Sequence, residues 1–284
     1  MALGIAIPSS RTLVGFSSVS LAVAVVFTFP CLVVVMQQNP VVWFLHLLTA
    51  NLTRVALLTS WVLLTAGAVL LVIRLQNNTR ASSSTVRKVF HGVLLCVFVP
   101  GLVFDAELLR FCSLITFGVF VLLEYVRVAR IPPLGDVLHE SLQIFLDEKD
   151  QGVLILTHVY LLLGCAFPLW LQPVLDGQKA RDVVLCGILS VGIGDAAASI
   201  GGSCYGRLRL PGTKKTVEGT LSSCIVQLLS FLLIHSTGSF QFLGSMYCAF
   251  LAISFSSMLE AVTLQVDNII IPLFTYVMWL NLTS

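Results

Sequence analysis

The stretch Asp182–Gly202, DVVLCGILSVGIGDAAASIGG, decides the fold. Only two of its residues, Asp182 and Asp195, carry charge. A helix needs about 20 apolar residues to cross the hydrocarbon layer of a bilayer. The stretch is that long and that apolar, so a membrane span is expected here. Asp182 stands at its start. Asp195 stands about seven residues inside its far end, ~10 Å deep at 1.5 Å per residue. A carboxylate at that depth is unfavourable unless paired or solvated, which makes Asp195 a functional candidate. Its neighbours Gly192, Gly194, Ala196, Ala197, Ala198, Ser199, Gly201 and Gly202 are all small. Small residues let another helix come close, and equally let a ligand reach the backbone. The plainer reading is a helix-packing face with one Asp bonded to a neighbour.

The rest of the chain has the same character. Of its 284 residues, 57% are hydrophobic and 11% charged, against roughly 25% charged in a soluble domain. Mean hydropathy is +0.97. The fold class expected is all-α, a polytopic transmembrane helix bundle of about eight or nine spans. Apolar runs mark spans near residues 15–36, 55–73, 90–104, 109–126, 156–175, 182–202, 219–235, 241–262 and 268–281. The last is short enough to be re-entrant. Residues 39–50 are too few to cross comfortably and fit the interface. The run Gly15–Met36 follows Arg11 as in a signal peptide, but exceeds the usual ~7–15 residues and reads as a retained span. "ASSST" at 81–85 reads as a polar linker. The runs are continuous rather than alternating, which argues against a β-barrel. A net charge of +2 does not suggest a nucleic-acid partner. The eight cysteines form no CxxC pair and lie mostly in apolar runs, so neither a disulfide framework nor a zinc site is expected.

Loop charges set the orientation. Segments 74–88, 127–155 and 203–217 hold most of the basic residues and fall on one side of the expected spans. The opposite loops are short, with Lys179 and Arg181 as their basic residues. The positive-inside rule puts the three charged loops in the cytosol. Glu124, Asp195, Glu218, Glu260 and Asp267 then all lie near the cytosolic ends of their spans. A transporter would spread such groups through several spans at mid-membrane depth, so this gathering argues against one.

After Asp195 comes "SCYGRLRLPGTKKTVEGT" (203–220). Gly206 and Gly212 are flexible points, and Pro211 stiffens the turn between them. Lys214 and Lys215 precede a helix expected to start near Thr216 or Val217. A helix N-terminus carries a partial positive charge and free N–H groups, which suit a phosphate. A positive-inside flank explains the two lysines equally well, but not the glycines, the proline or Glu218. Glu218 has a simple role as an acid in a first helical turn. Its sharper role is as a ligand to magnesium carried on a nucleotide, since Mg2+ takes oxygen ligands, often one or two carboxylates plus phosphates. Asp195, Glu218 and Asp267 are the candidate ligands. The Walker pattern GxxxxGK[ST] is absent.

Three shorter motifs complete the set. "RKVFH" (87–91) puts Arg87, Lys88 and His91 within about one helical turn, either as an interfacial anchor or as further phosphate donors. "LLEYVR" (122–127) sets Glu124 and Arg127 at i, i+3, an ordinary intrahelical pair. "DNIIIP" (267–272) opens the last span, with Asp267 as a cap or a metal ligand.

In this order, "RKVFH", "LLEYVR", "GDAAASIGGSCYG", "PGTKKTVEGT" and "DNIIIP" resemble the dolichol kinases of the polyprenol kinase family. The resemblance runs from about Arg87 to Pro272. It divides the chain into N-terminal spans, 1–86, and a polyprenol-kinase-like catalytic membrane domain, 87–284. It implies CTP-dependent phosphorylation of dolichol at the endoplasmic reticulum membrane for protein glycosylation, with the catalytic loop facing the cytosol. It implies CTP binding by Pro211, Gly212, Thr213, Lys214, Lys215, Thr216, Glu218, Gly219 and Thr220, with Arg87 and Lys88 adding charge. Asp195 is expected to take the proton of the dolichol hydroxyl or to bind Mg2+. Eukaryotic members carry more spans upstream, so a shortened N-terminal region is expected. The nearest alternative is a CTP-dependent kinase of phytol, a shorter polyprenol or diacylglycerol.

Overall fold

A computed structural model describes residues 13–23, 25–26, 29–79, 83–142, 153–172, 182–213, 215–240, 246–263 and 267–283. Among them the regular structure is helical, apart from one isolated β-bridge between Arg209 and Thr216. The helices are α1 (Leu13–Val23), α2 (Phe29–Met36), α3 (Pro40–Thr49), α4 (Leu52–Thr79), α5 (Ser83–Phe104) and α6 (Ala106–Val128). They continue as α7 (Leu134–Leu142), α8 (Thr157–Leu171), α9 (Asp195–Tyr205), α10 (Val217–Ser236), α11 (Met246–Val262) and α12 (Asp267–Thr283). α9 ends a longer helical segment. That segment starts as a 3-10 turn over Asp182–Leu185 and widens to a π-helix over Ile188–Gly194. The Asp195 N–H therefore donates to the Ser190 carbonyl, five residues back.

Lipid cannot accept backbone hydrogen bonds, so spanning segments must satisfy their own. Apolar runs consequently become helices even where Pro100, Pro168 and Pro272 interrupt α5, α8 and α12. Among the described residues, four helices are long and apolar enough to cross a membrane: Leu52–Leu75, Ala106–Val128, Asp182–Tyr205 and Val217–Ser236. Shorter apolar helices stand beside them. In Asp182–Tyr205, 61% of the apolar window is buried, against 17–22% in the other three. The segment with which the sequence reading began is therefore the centre of the bundle. Its first half packs with Leu162, Cys165, Ala166 and Leu169 of α8 in the main core. Trp279 of α12, fully buried, meets Phe231 of α10 edge-on at 5.2 Å. The outward faces of α4 and α10 carry exposed Leu63, Leu70, Leu229 and Leu233, as lipid-facing surfaces do.

Several expectations need correction or refinement. Ser83, Ser84 and Thr85 are not linker but the first turn of α5, because hydroxyl residues also suit a helix start. The rest of that linker lies outside the described residues. The last expected span is a continuous helix of 17 residues, α12. Residues 40–49 form the ten-residue α3, too short to cross, opened by Asn39, whose side chain accepts from the Val41 N–H. All eight cysteines are free thiols.

Charged pairs tie helices at both ends of the bundle, partly exposed at one and buried at the other. At one end Arg54, opening α4, binds Asp105 at 2.5 Å and Glu107 at 3.0 Å. At the other, the Arg127 guanidinium grips Glu124 at 2.6 and 2.7 Å, the i, i+3 pair expected. The same pair also holds the chain ahead of α8: the Ile155 N–H donates to Glu124, and Arg127 donates to the Val153 carbonyl.

Candidate active site

The loop after α9 is a tight hairpin. Leu210, Pro211, Gly212 and Thr213 form a turn closed by the Thr213 N–H on the Leu210 carbonyl at 3.2 Å. Gly212 adopts φ +74°, the left-handed conformation that the third residue of a type II turn requires after proline. The arms pair through Leu210 N–H to Lys215 O at 3.0 Å and Val217 N–H to Leu208 O at 2.9 Å. This fold-back delivers Thr216 to the start of α10 as its N-cap, where Oγ1 accepts from the Gly219 N–H at 3.2 Å. The predicted helix start is the observed one. Two of its first N–H groups are already used, by Leu208 O and Thr216 Oγ1. The positive character of this end therefore rests on the helix dipole and on Lys215 more than on free donors.

α9 and α10 pack as a close pair. A Cβ on Gly219 would stand 2.8 Å from the Ala198 carbonyl oxygen, so only glycine permits this approach. Between the two helices and the end of α11 lies a cavity of about 530 Å³. Asp195, Ala198, Ser199, Gly202, Ser203, Lys215, Thr216, Gly219, Thr220 and Glu260 line it. The acid from one side of the hairpin and the lysine from the other thus face one space. Hydroxyls of Ser199, Ser203, Thr216 and Thr220 add polar groups suited to phosphate oxygens.

A histidine stands behind Asp195. His91 of α5 is buried, and its Nε2 stands 3.6 Å from Asp195 Oδ2, while the Asp195 side chain keeps 43% exposure. "RKVFH" therefore reaches the site through its histidine. Lys88 is exposed and does not line the cavity. Arg87 lies in α5, but its side chain is outside the described residues, as is Lys214 entirely.

The remaining predicted residues take other places. Pro211, Gly212 and Thr213 shape the hairpin tip and are not on the cavity wall. Glu218 is also off the wall; both its oxygens accept from the Leu208 N–H at 3.2 Å. Asp267 is the first residue of α12, and its Oδ1 accepts from the Asn268 N–H at 3.2 Å.

Sequence reasoning placed Glu260 at the same membrane face but gave it no role. In the structure it is buried on the cavity wall and bound to Lys215. Among the described residues no three His, Cys, Asp or Glu side chains form a self-sufficient metal cage. Mg2+ keeps waters and phosphates among its ligands and needs few carboxylates from protein.

Comparison with known proteins identifies the family. The family model described as dolichol kinase matches residues 6–166, including spans upstream of Arg87. The chain is 43% identical over 258 residues to dolichol kinase of Mus musculus, covering 85% of this chain and 48% of that protein. It is 44% identical over 257 residues to dolichol kinase of Homo sapiens, with shares of 85% and 48%. It is 35% identical over 245 residues to dolichol kinase EVAN of Arabidopsis thaliana, with shares of 84% and 43%. The chain spans about half the length of the curated relatives it matches. No solved structure matches it. On the family match and these identities, the chain belongs to the dolichol kinase family.

Proposed function

We propose that this chain transfers the γ-phosphoryl group of CTP to the hydroxyl of dolichol, at the cytosolic face of the endoplasmic reticulum membrane, yielding dolichyl phosphate for protein glycosylation. The observation that carries this reading is the shared cavity: Asp195 of α9 faces Lys215 and Thr216 at the start of α10 across a space of about 530 Å³. CTP as donor, and the location, follow the sequence resemblance and the loop charges.

Phosphoryl transfer asks a protein mainly to position the reactants and stabilise charge. Lys215, the α10 dipole and the hydroxyls of Thr216 and Thr220 bind the triphosphate. The hairpin, fastened by Glu218 to Leu208, keeps Lys215 beside that helix end. Asp195, exposed to the cavity with His91 behind it, accepts the proton of the dolichol hydroxyl as its oxygen attacks the γ-phosphorus, and the bond from that phosphorus to the β-phosphate oxygen breaks to release CDP. In the other role open to it, Asp195 would hold Mg2+ from the cavity wall, with waters and phosphate oxygens as further ligands. Bound there, Mg2+ supplies neutralising charge for the phosphate oxygens. Small side chains along α9 leave the cavity open between helices, so a lipid alcohol can enter from the membrane and a nucleotide from water.

The test is direct. Membranes containing the chain are incubated with dolichol and either γ-labelled CTP or γ-labelled ATP. Labelled dolichyl phosphate from CTP alone is expected. Label from ATP alone, or none from either, rejects the reading.

A further inference from the structure

Lys215 does not lie loose in the cavity. Its Nζ donates to the backbone carbonyl of Glu260 at 2.5 Å and stands 3.4 Å from the Glu260 carboxylate Oε1. That carbonyl belongs to the last turn of α11, whose final C=O groups have no partner within the helix. A lysine there satisfies an orphan acceptor and complements the negative end of the helix dipole. An ammonium has three N–H donors. Glu260 engages two of them and leaves one for a ligand.

Glu260 is itself held from below. Its Oε2 accepts from Ser223 Oγ at 3.3 Å. Ser223 Oγ accepts from Gln227 Nε2 at 2.9 Å, and the same amide donates to Ser257 Oγ at 3.1 Å. Ser223, Gln227, Ser257 and Glu260 are all at most 6% exposed. A polar chain thus descends between α10 and α11 into apolar surroundings. Such groups are unfavourable there unless hydrogen-bonded, and a bonded network rigidifies its members. Nothing in the packing of two apolar helices requires it. Its upper end is the grip on Lys215.

We propose that Glu260 is a positioning residue. Through its carbonyl and carboxylate it fixes the Lys215 ammonium on the cavity wall, so that the remaining donor meets a phosphate oxygen of the incoming polyphosphate. The inference rests on the cavity being the anion site proposed above. It requires the effect of Glu260 to pass through Lys215.

A double-mutant cycle tests that requirement with inorganic tripolyphosphate, which needs neither the lipid nor turnover. Affinity is measured by calorimetry on the purified full chain in detergent, for the unmodified protein, Glu260→Gln, Lys215→Met and the double variant. In the unmodified background Glu260→Gln is expected to weaken binding about tenfold, within the range for contacting charged pairs. With Lys215→Met already present it is expected to add less than about twofold. Glu260→Asp, which keeps the charge, is expected to recover part of the loss. Equal loss in both backgrounds, tighter binding by Glu260→Gln, or no tripolyphosphate binding by the unmodified chain would overturn the proposal. If tripolyphosphate binds with the expected non-additivity but no phosphate reaches dolichol, the kinase reading fails and the positioning role stands. Loss of folding in Glu260→Gln is checked by its thermal melt. If that variant does not fold, Ser223→Ala replaces it in the same cycle, with about threefold weakening expected in the unmodified background alone and equal effects in both backgrounds counting against the proposal.

Discussion

His91 Nε2 and Asp195 Oδ2 stand 3.6 Å apart, with the ring buried and the carboxylate open to the cavity. One side of Asp195 is therefore set by protein, while the other is free for a substrate hydroxyl. Asp195→Asn preserves shape and removes the base. Transfer of phosphate to dolichol is expected to fall by about 100-fold or more, the usual contribution of a positioned general base. Expression and the thermal melt should stay near those of the parent. Phosphate transfer within threefold of the parent would remove Asp195 from the chemistry.

The same contact gives His91 a role distinct from filling space. His91→Leu keeps the apolar volume in α5 but removes the nitrogen facing Asp195. Misplacing a reacting group lowers turnover while leaving uniform substrate binding untouched. The variant should lose about tenfold in kcat with KM for CTP nearly unchanged. Steady-state kinetics at several CTP concentrations measure both. A rise in KM with kcat retained would place His91 in nucleotide binding instead.

Much of this was legible in the sequence. The spans could be read because lipid leaves an apolar run no option but a helix. Asp195 stood out because a charge inside such a run demands a reason. Thr216 and Val217 could be read because hydroxyl caps mark helix starts. Glu260 could not be assigned in the same way. Its partner Lys215 lies 45 residues away, and only the packing of α10 on α11 joins them. A weaker signal was present: Ser223 and Gln227 stand at i, i+4, and Ser257 and Glu260 at i, i+3, which puts polar residues on one face of two apolar helices. Glu218 illustrates the opposite limit. As a first-turn acid its position could be read, but its carboxylate turns to the Leu208 N–H because the hairpin folds back, and no local pattern encodes that.

The close approach of α9 to α10 predicts a steric response at Gly219. A Cβ there would meet a backbone oxygen, not a flexible side-chain end that could move away. Gly219→Ala should therefore force the helices apart, with a destabilisation of about 1–3 kcal/mol. Lys215 and Thr216 lead into α10, so KM for CTP should rise in the same variant. Melting in detergent and CTP kinetics test the two halves of this expectation. An unshifted melt would show that the pair can relax without strain.

The Glu124–Arg127 pair offers a test of what the charged ends contribute. Both side chains are nearly fully buried, at 6% and 4% exposure. Arg127→Met strands a carboxylate without its guanidinium, which typically costs about 3–5 kcal/mol. Replacing both, as Glu124→Leu with Arg127→Met, removes the stranded charge, and buried pairs are often exchanged for apolar groups with little loss. Here recovery should be incomplete, because the Ile155 N–H and the Val153 carbonyl lose their partners along with the pair. Val153 is exposed, but Ile155 is buried, and an unsatisfied buried N–H costs about 1–3 kcal/mol. The single variant should therefore melt lowest and the double variant between it and the parent. A double variant as stable as the parent would show that other contacts hold the chain ahead of α8, and that the pair serves only its own helix.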